Sequence, residues 1–151
     1  MARRVRDAIP KALARAFGRI AQTRKRRGLE RGRRNEQRVY SAFEYPAVRY
    51  GFPPWFRYLR ACTREEDADG IDAVIETYGI GKILVQIKSS EHFARKFRAR
   101  RGRRHIIVVV IRDEISPENI RETILAEATA KYRALMAMRT DDEGETSAAV
   151  P

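Results

Sequence analysis

From Asp69 to Ser90, DGIDAVIETYGIGKILVQIKSS, apolar and polar residues alternate with the period of two that a half-buried strand requires. Two short strands joined by a turn are expected. On the first, Ile71, Ala73 and Ile75 form the apolar face, leaving Asp72 and Glu76 opposite. On the second, Ile83, Val85 and Ile87 point one way while Gln86 and Lys88 point the other. Tyr78, Gly79, Ile80 and Gly81 supply the turn. A three-residue loop, Tyr78 to Ile80, sets Asp72 across the ladder from Gln86. A slip of one residue separates them onto opposite faces, so register decides whether the hairpin carries a site.

The flanking pattern supplies the remaining elements. Residues 33–44 have helical periodicity, with Val39, Tyr40 and Phe43 three, four and seven residues beyond Glu36. That spacing puts Glu36 on the inward stripe, where a carboxylate is costly unless paired or beside a metal. A face misjudged by one residue, with Glu36 in solvent, is the competing arrangement. Pro46, Pro53 and Pro54 break regular structure over 45–55. Trp55 and Phe56 are expected to plug the core edge, with base stacking as the other role. Phe56 to Thr63 reads as a strand with Phe56, Tyr58, Arg60 and Cys62 on one face, and Arg64 to Asp69 as an acidic loop with Glu65, Glu66 and Asp67 solvated. Within Glu91–Arg104, Phe93 and Phe97 mark a short helix. His105 to Ile111 is continuously apolar, as in a strand buried on both faces. Ser116 caps and Pro117 opens a helix to about Met138, with Ile120, Ile124, Leu125, Tyr132, Leu135 and Met136 inward. The polar tail from Thr140 is expected to be disordered. This order of elements implies an α/β fold, a mixed central sheet flanked by helices.

Charge adds a partner. The 151 residues carry a formal net charge of +12, yet residues 1–35 hold thirteen Arg or Lys against Asp7 and Glu30. The remainder is nearly balanced, so the basicity is local and points to a polyanion, nucleic acid first. The chain divides into a basic helical extension or arm (1–30), a domain (31–138) and a tail (139–151), with a joint at Gly28 to Gly32. In the extension Leu13, Ala16, Phe17, Ile20 and Ala21 mark one helical face and Arg15 and Arg19 another. A packing helix or an arm that orders on nucleic acid is preferred; a transit peptide lacks the expected serines, and a membrane-surface helix is the last competitor. A second basic cluster, Arg95, Lys96, Arg98, Arg100, Arg101, Arg103 and Arg104, follows the Lys88 strand. A single cysteine, Cys62, and two histidines, His92 and His105, argue against disulfide and zinc chemistry. No apolar run has the roughly 20 residues of a membrane span. A cytoplasmic, nucleoid-associated location fits, with organellar targeting by the first helix left open.

Asp72, Gln86 and Lys88 on one hairpin face suit metal-assisted phosphodiester hydrolysis: two hard oxygens for magnesium and an ammonium for water and phosphate. A solvated polar face is the plain alternative. GID, a turn and VQIKSS resemble the core of the PD-(D/E)xK nuclease superfamily over about residues 31–112, with Gln86 at the (E/Q) position. The order of elements resembles that superfamily's αβββαβ core, the restriction-endonuclease-like fold. The resemblance implies Asp72, Gln86 and Glu36 as ligands of Mg2+ or Mn2+, with the Ile87 carbonyl as a further oxygen and Lys88 positioning the attacking water. Arg33, Arg34, Ser90 and the second basic cluster would hold DNA. Two positions depart from the family pattern. Gly70-Ile71 replaces the residue pair that includes its proline, and Gln86 removes one negative charge. The implied activity is a magnesium-dependent DNA endonuclease, resembling Holliday-junction resolvases that work as homodimers, or a restriction or repair enzyme. A non-cleaving binding protein of the same fold and a basic structural component of a nucleoprotein particle are the alternatives.

Overall fold

The computed structural model describes residues 11–44, 51–100 and 106–146, with the side chains of 11–18 and 140–146 left aside. Four strands, β1 (Phe56–Ala61), β2 (Ala73–Thr77), β3 (Lys82–Lys88) and β4 (Ile106–Val110), form one sheet in the order β1-β2-β3-β4. The first three are an antiparallel meander, and β4 runs parallel to β3. A parallel neighbour needs a crossover, and helix α3 (Glu91–Arg98) lies within it. Helices α1 (Lys11–Phe43) and α4 (Pro117–Thr146) cover one face of the sheet, α3 covers the other, and the short α2 (Arg64–Ala68) links β1 to β2.

Strand alternation creates two cores. Ala73, Ile75, Ile83, Val85 and Ile87 meet Val39 and Ala42 of α1 and Ile120, Ile124 and Ala128 of α4. On the far face Val74, Ile106 and Val108 meet Ala94 and Phe97 of α3. β4 serves both, with Ile107 and Val109 turned to the first core, as its unbroken apolar sequence required. Each buried Val, Ile or Phe among these contributes roughly 1.5–3 kcal/mol against chain entropy.

The hairpin register is the expected one. Pairs run from Ala73 with Val85 to Glu76 with Lys82, and the Thr77 N–H donates to the Gly81 carbonyl at 2.8 Å. Tyr78 to Ile80 is therefore the loop, and Gly79, at φ +108°, occupies a conformation a side chain would strain. α4 clamps this turn. The Tyr132 hydroxyl donates to the Tyr78 carbonyl at 3.0 Å, and Arg139 donates to that of Gly79 at 2.7 Å. Trp55 stacks on Tyr132 with ring centroids 5.0 Å apart, a core-edge role rather than a base platform.

Several local expectations are corrected. α1 is continuous through Gly28 and Gly32, so the expected joint does not break it. Glycine costs a helix about 1 kcal/mol, which does not stop one already propagating. The acidic stretch after Thr63 is helical, because Thr63 and Glu66 form a reciprocal capping box. Glu66 is paired with Arg60 and Lys82 rather than solvated. A register shift between Phe56 and Tyr58 turns Phe56 to the first core, away from the face of Tyr58 and Arg60. Ile71, lying ahead of β2, packs with Val74 instead of with Ala73 and Ile75. α4 continues to Thr146 where a disordered tail was expected. The start of the basic arm (1–10), Pro46, Arg101, Arg103, Arg104, His105 and the last five positions lie outside the described residues.

Candidate active site

The hairpin and α1 assemble the site between them. Asp72 precedes β2, and its N–H donates at 2.9 Å to the carbonyl of Val85, the residue already paired with Ala73, so the regular ladder ends there. Its carboxylate still reaches β3 beyond Val85. Its Oδ2 accepts the Ile87 N–H at 2.7 Å and also a hydrogen bond from Gln86 Nε2. The same Gln86 nitrogen lies 3.4 Å from the Ile87 carbonyl. Gln86 is only 3 % exposed, and its Oε1 is buried without a hydrogen-bond partner. Lys88 shares the Gln86 side of β3, with Nζ 5.1 Å from the centroid of the Phe97 ring.

α1 delivers Glu36 as the inward stripe predicted. The helix is pinned there by polar contacts that hydrophobic spacing could not reveal. The Tyr40 hydroxyl donates to the Asp72 carbonyl at 2.6 Å, and buried Asn35 donates through Nδ2 to Ile111 O at 3.0 Å. Arg38 donates to Arg112 O at 2.9 Å. Val39 and Ala42 fill the core on the same side. Glu36 is half-buried, and its pKa is raised, first by burial and then by the charges of Asp72 and Asp67, with Arg33 and Lys88 opposing. Asp72 is raised too, mainly by burial, against the Ile87 N–H bond and Lys88. The four candidate side chains thus lie within one electrostatic neighbourhood.

No protein-family model, curated protein or solved structure matches this chain. Among the described residues there is no group of three or more His, Cys, Asp or Glu placed to hold a metal. What converges is instead a mixed set: the Asp72 carboxylate and the Ile87 carbonyl around the Gln86 amide nitrogen, with Glu36 alongside.

Gln86 decides whether that set fits a cation. Its nitrogen bonds the Asp72 carboxylate and approaches the Ile87 carbonyl, while its oxygen is orphaned. Rotating the amide by half a turn exchanges the two ends. Three oxygens then face one another, which is tolerable around a divalent cation and repulsive otherwise. A buried orphan acceptor costs on the order of 1–3 kcal/mol. In that rotated orientation alone the donor set would fit a hard cation such as magnesium, at reduced charge.

Two nearby groups, Asp67 and Cys62, carried no expected part in the site. Asp67 raises the pKa of Asp72 and Glu36, and the Thr63-x-x-Glu66 capping signature was the available signal for the helix that carries it. Burial is the main influence raising the Cys62 thiol, with Asp67 next. The basic residues divide. Arg33, Arg34, Arg95, Lys96 and Arg100 are exposed, and the last two line an open hollow with Lys88, Phe93 and Phe97. Arg98 is engaged by the fold, donating to Glu91 at 3.1 Å and to the Val108 carbonyl at 2.8 Å. Ser90 is the N-cap of α3, its Oγ accepting from the Phe93 N–H. Both therefore have structural duties beside the nucleic-acid contact expected of them.

Proposed function

We propose that the chain hydrolyses DNA phosphodiester bonds with magnesium or manganese, as a restriction-endonuclease-like αβββαβ domain. One observation carries this reading: the Asp72 carboxylate accepts hydrogen bonds from Gln86 Nε2 and the Ile87 N–H, with Glu36 and Lys88 coupled to the same part-buried carboxylate. Asp72, Gln86 Oε1 and the Ile87 carbonyl would hold the cation, and Glu36 would contact it directly or through water. A bound divalent cation supplies Lewis acidity and lowers the pKa of water. Lys88 orients the attacking water and offsets charge developing on the phosphate. Glu36, its proton affinity raised first by burial and then by Asp72 and Asp67, is suited to accept a proton from that water. Arg33, Arg34, Arg95, Lys96 and Arg100 hold the flanking phosphates. A resolvase-like homodimer acting on branched DNA and a restriction or repair enzyme acting on duplex both fall within this reading.

The Gln86 orientation also supports a second reading, in which the amide permanently caps Asp72 and the domain binds nucleic acid without cutting it. Incubation with branched, duplex and single-stranded DNA, with and without Mg2+ or Mn2+, separates them. Metal-dependent cutting that falls at least a hundredfold in Lys88→Ala and Asp72→Ala, with binding in chelator retained, is the expected result. Tight, salt-sensitive binding without cutting establishes the second reading. Cutting unaffected by either substitution excludes this site.

A further inference from the structure

The first half of α1 is unlike any other described segment of the fold. Every residue from Arg19 to Arg31 is exposed, although the helix is unbroken from Lys11 into the Glu36 turn. It carries Arg19, Arg24, Lys25, Arg26, Arg27 and Arg31 against one acid, Glu30, which is spent on Arg26 at 2.9 Å. At about 100° per residue these cations do not form a stripe. Viewed down the axis from Arg19, the side chains of Arg27, Arg31 and Arg24 follow one another around one half of the helix. Those of Lys25 and Arg26 occupy the other half, so every quadrant of the helix is basic. Ile20 and Leu29, the large apolar residues of this stretch, are exposed 49 % and 62 % and lie nine residues apart, on opposite sides.

A helix that docks on a flat anionic surface, such as a membrane, needs an apolar or basic face on one side only. A helix that packs on a protein partner needs an apolar stripe. Encircling charge fits instead a concave polyanion with phosphates on both flanks. The B-form major groove is about 12 Å wide and admits an α-helix about 10–12 Å across, whereas the A-form major groove is too narrow.

We propose that residues 19–31 lie in the major groove of duplex DNA and make B-form duplex the nucleic acid this chain engages. This deepens the proposed function, since the same helix enters the site: Glu36 is five residues beyond Arg31, about 7 Å along the axis. The groove-bound segment, about 18 Å long, thereby sets which phosphates of the bordering strand reach Lys88.

The test measures fluorescence anisotropy of a short labelled duplex with the full chain in EDTA, where cleavage plays no part. Two triple variants divide the helix: Arg19, Lys25 and Arg26→Gln on one side, and Arg24, Arg27 and Arg31→Gln on the other. Both are expected to weaken binding at least tenfold, to comparable extents, and each to reduce the log–log salt slope by about 2–3. Methyl green, a major-groove ligand, is expected to displace the protein, and netropsin, a minor-groove ligand, to leave it bound. Duplex RNA and phosphatidylserine vesicles are expected to bind at least tenfold more weakly than DNA. Thermal melts should match wild type, because the exposed segment supports no core residue. Loss confined to one triple, loss in neither, displacement by netropsin alone, or equal affinity for duplex RNA or vesicles each overturns the groove assignment. Groove binding without cutting in magnesium removes the nuclease reading alone. Cutting by a protein indifferent to both triples removes the groove assignment alone.

Discussion

Two carboxylates share a partly buried site with one amide and one ammonium, and their raised proton affinity has a consequence for stability. A carboxyl whose folded pKa lies above its ordinary value binds protons better folded than unfolded, so stability falls as pH rises through the interval between the two. The ordinary values are 3.8 for Asp72 and 4.5 for Glu36, so that interval opens there and extends upward. Asp72→Asn and Glu36→Gln are each expected to melt above wild type at pH 7, with the advantage disappearing on acidification below those values. Melting curves across pH 3–8 check this, and variants that melt lower at neutral pH contradict the coupling. Gln86→Glu extends the same logic. A third carboxylate should lower the melting temperature in EDTA and enlarge the rise produced by Mg2+ or Mn2+, because a cation bound only by the folded state stabilises it in proportion to its affinity. An unchanged metal response would mean that Gln86 Oε1 does not turn toward Asp72.

At the scale of elements, the hairpin turn and α2 matter most. Gly79 combines φ +108° with the Tyr132 hydroxyl, which would lie 3.1 Å from an added Cβ. Gly79→Ala is expected to cost about 1–3 kcal/mol, read in urea titrations, and to reduce activity through the loop length that aligns Asp72 with Gln86. α2 depends on Glu66, which closes the capping box and pairs with Arg60 and Lys82. These partners hold its carboxyl well below the usual range. The stability it lends is present above about pH 4.5 and is lost as pH falls through its folded pKa. Glu66→Ala should therefore cost about 2 kcal/mol at neutral pH and progressively less in acid.

Across the whole molecule, charge and order are distributed unevenly. A sheet covered on both faces anchors the second half of α1, while residues 19–31 ahead of it extend exposed and basic. An isolated helical stretch of this length is marginal in water. Amide exchange from 19–31 is expected to run at least a hundredfold faster than from 35–43, where Asn35, Tyr40, Val39 and Ala42 tie the helix down. Equal protection along α1 would show that the exposed half is stabilised by something other than this fold.

Period-two alternation and an unbroken apolar run were sufficient to determine β2 from Ala73 onward, β3 and β4, and helical spacing the inward face of α1, because burial of a face imposes its period on the chain. The register that pairs Ala73 with Val85 was legible too, since a loop closed at Gly81 admits few lengths. Tertiary structure alone decided which polar groups met. Tyr40 on the Asp72 carbonyl, Asn35 on the Ile111 carbonyl and Glu66 between Arg60 and Lys82 join positions from different elements. The bulge that turned Phe56 inward and the orphaned Gln86 oxygen likewise depend on neighbours across the sheet, for which a one-dimensional pattern carries no signal.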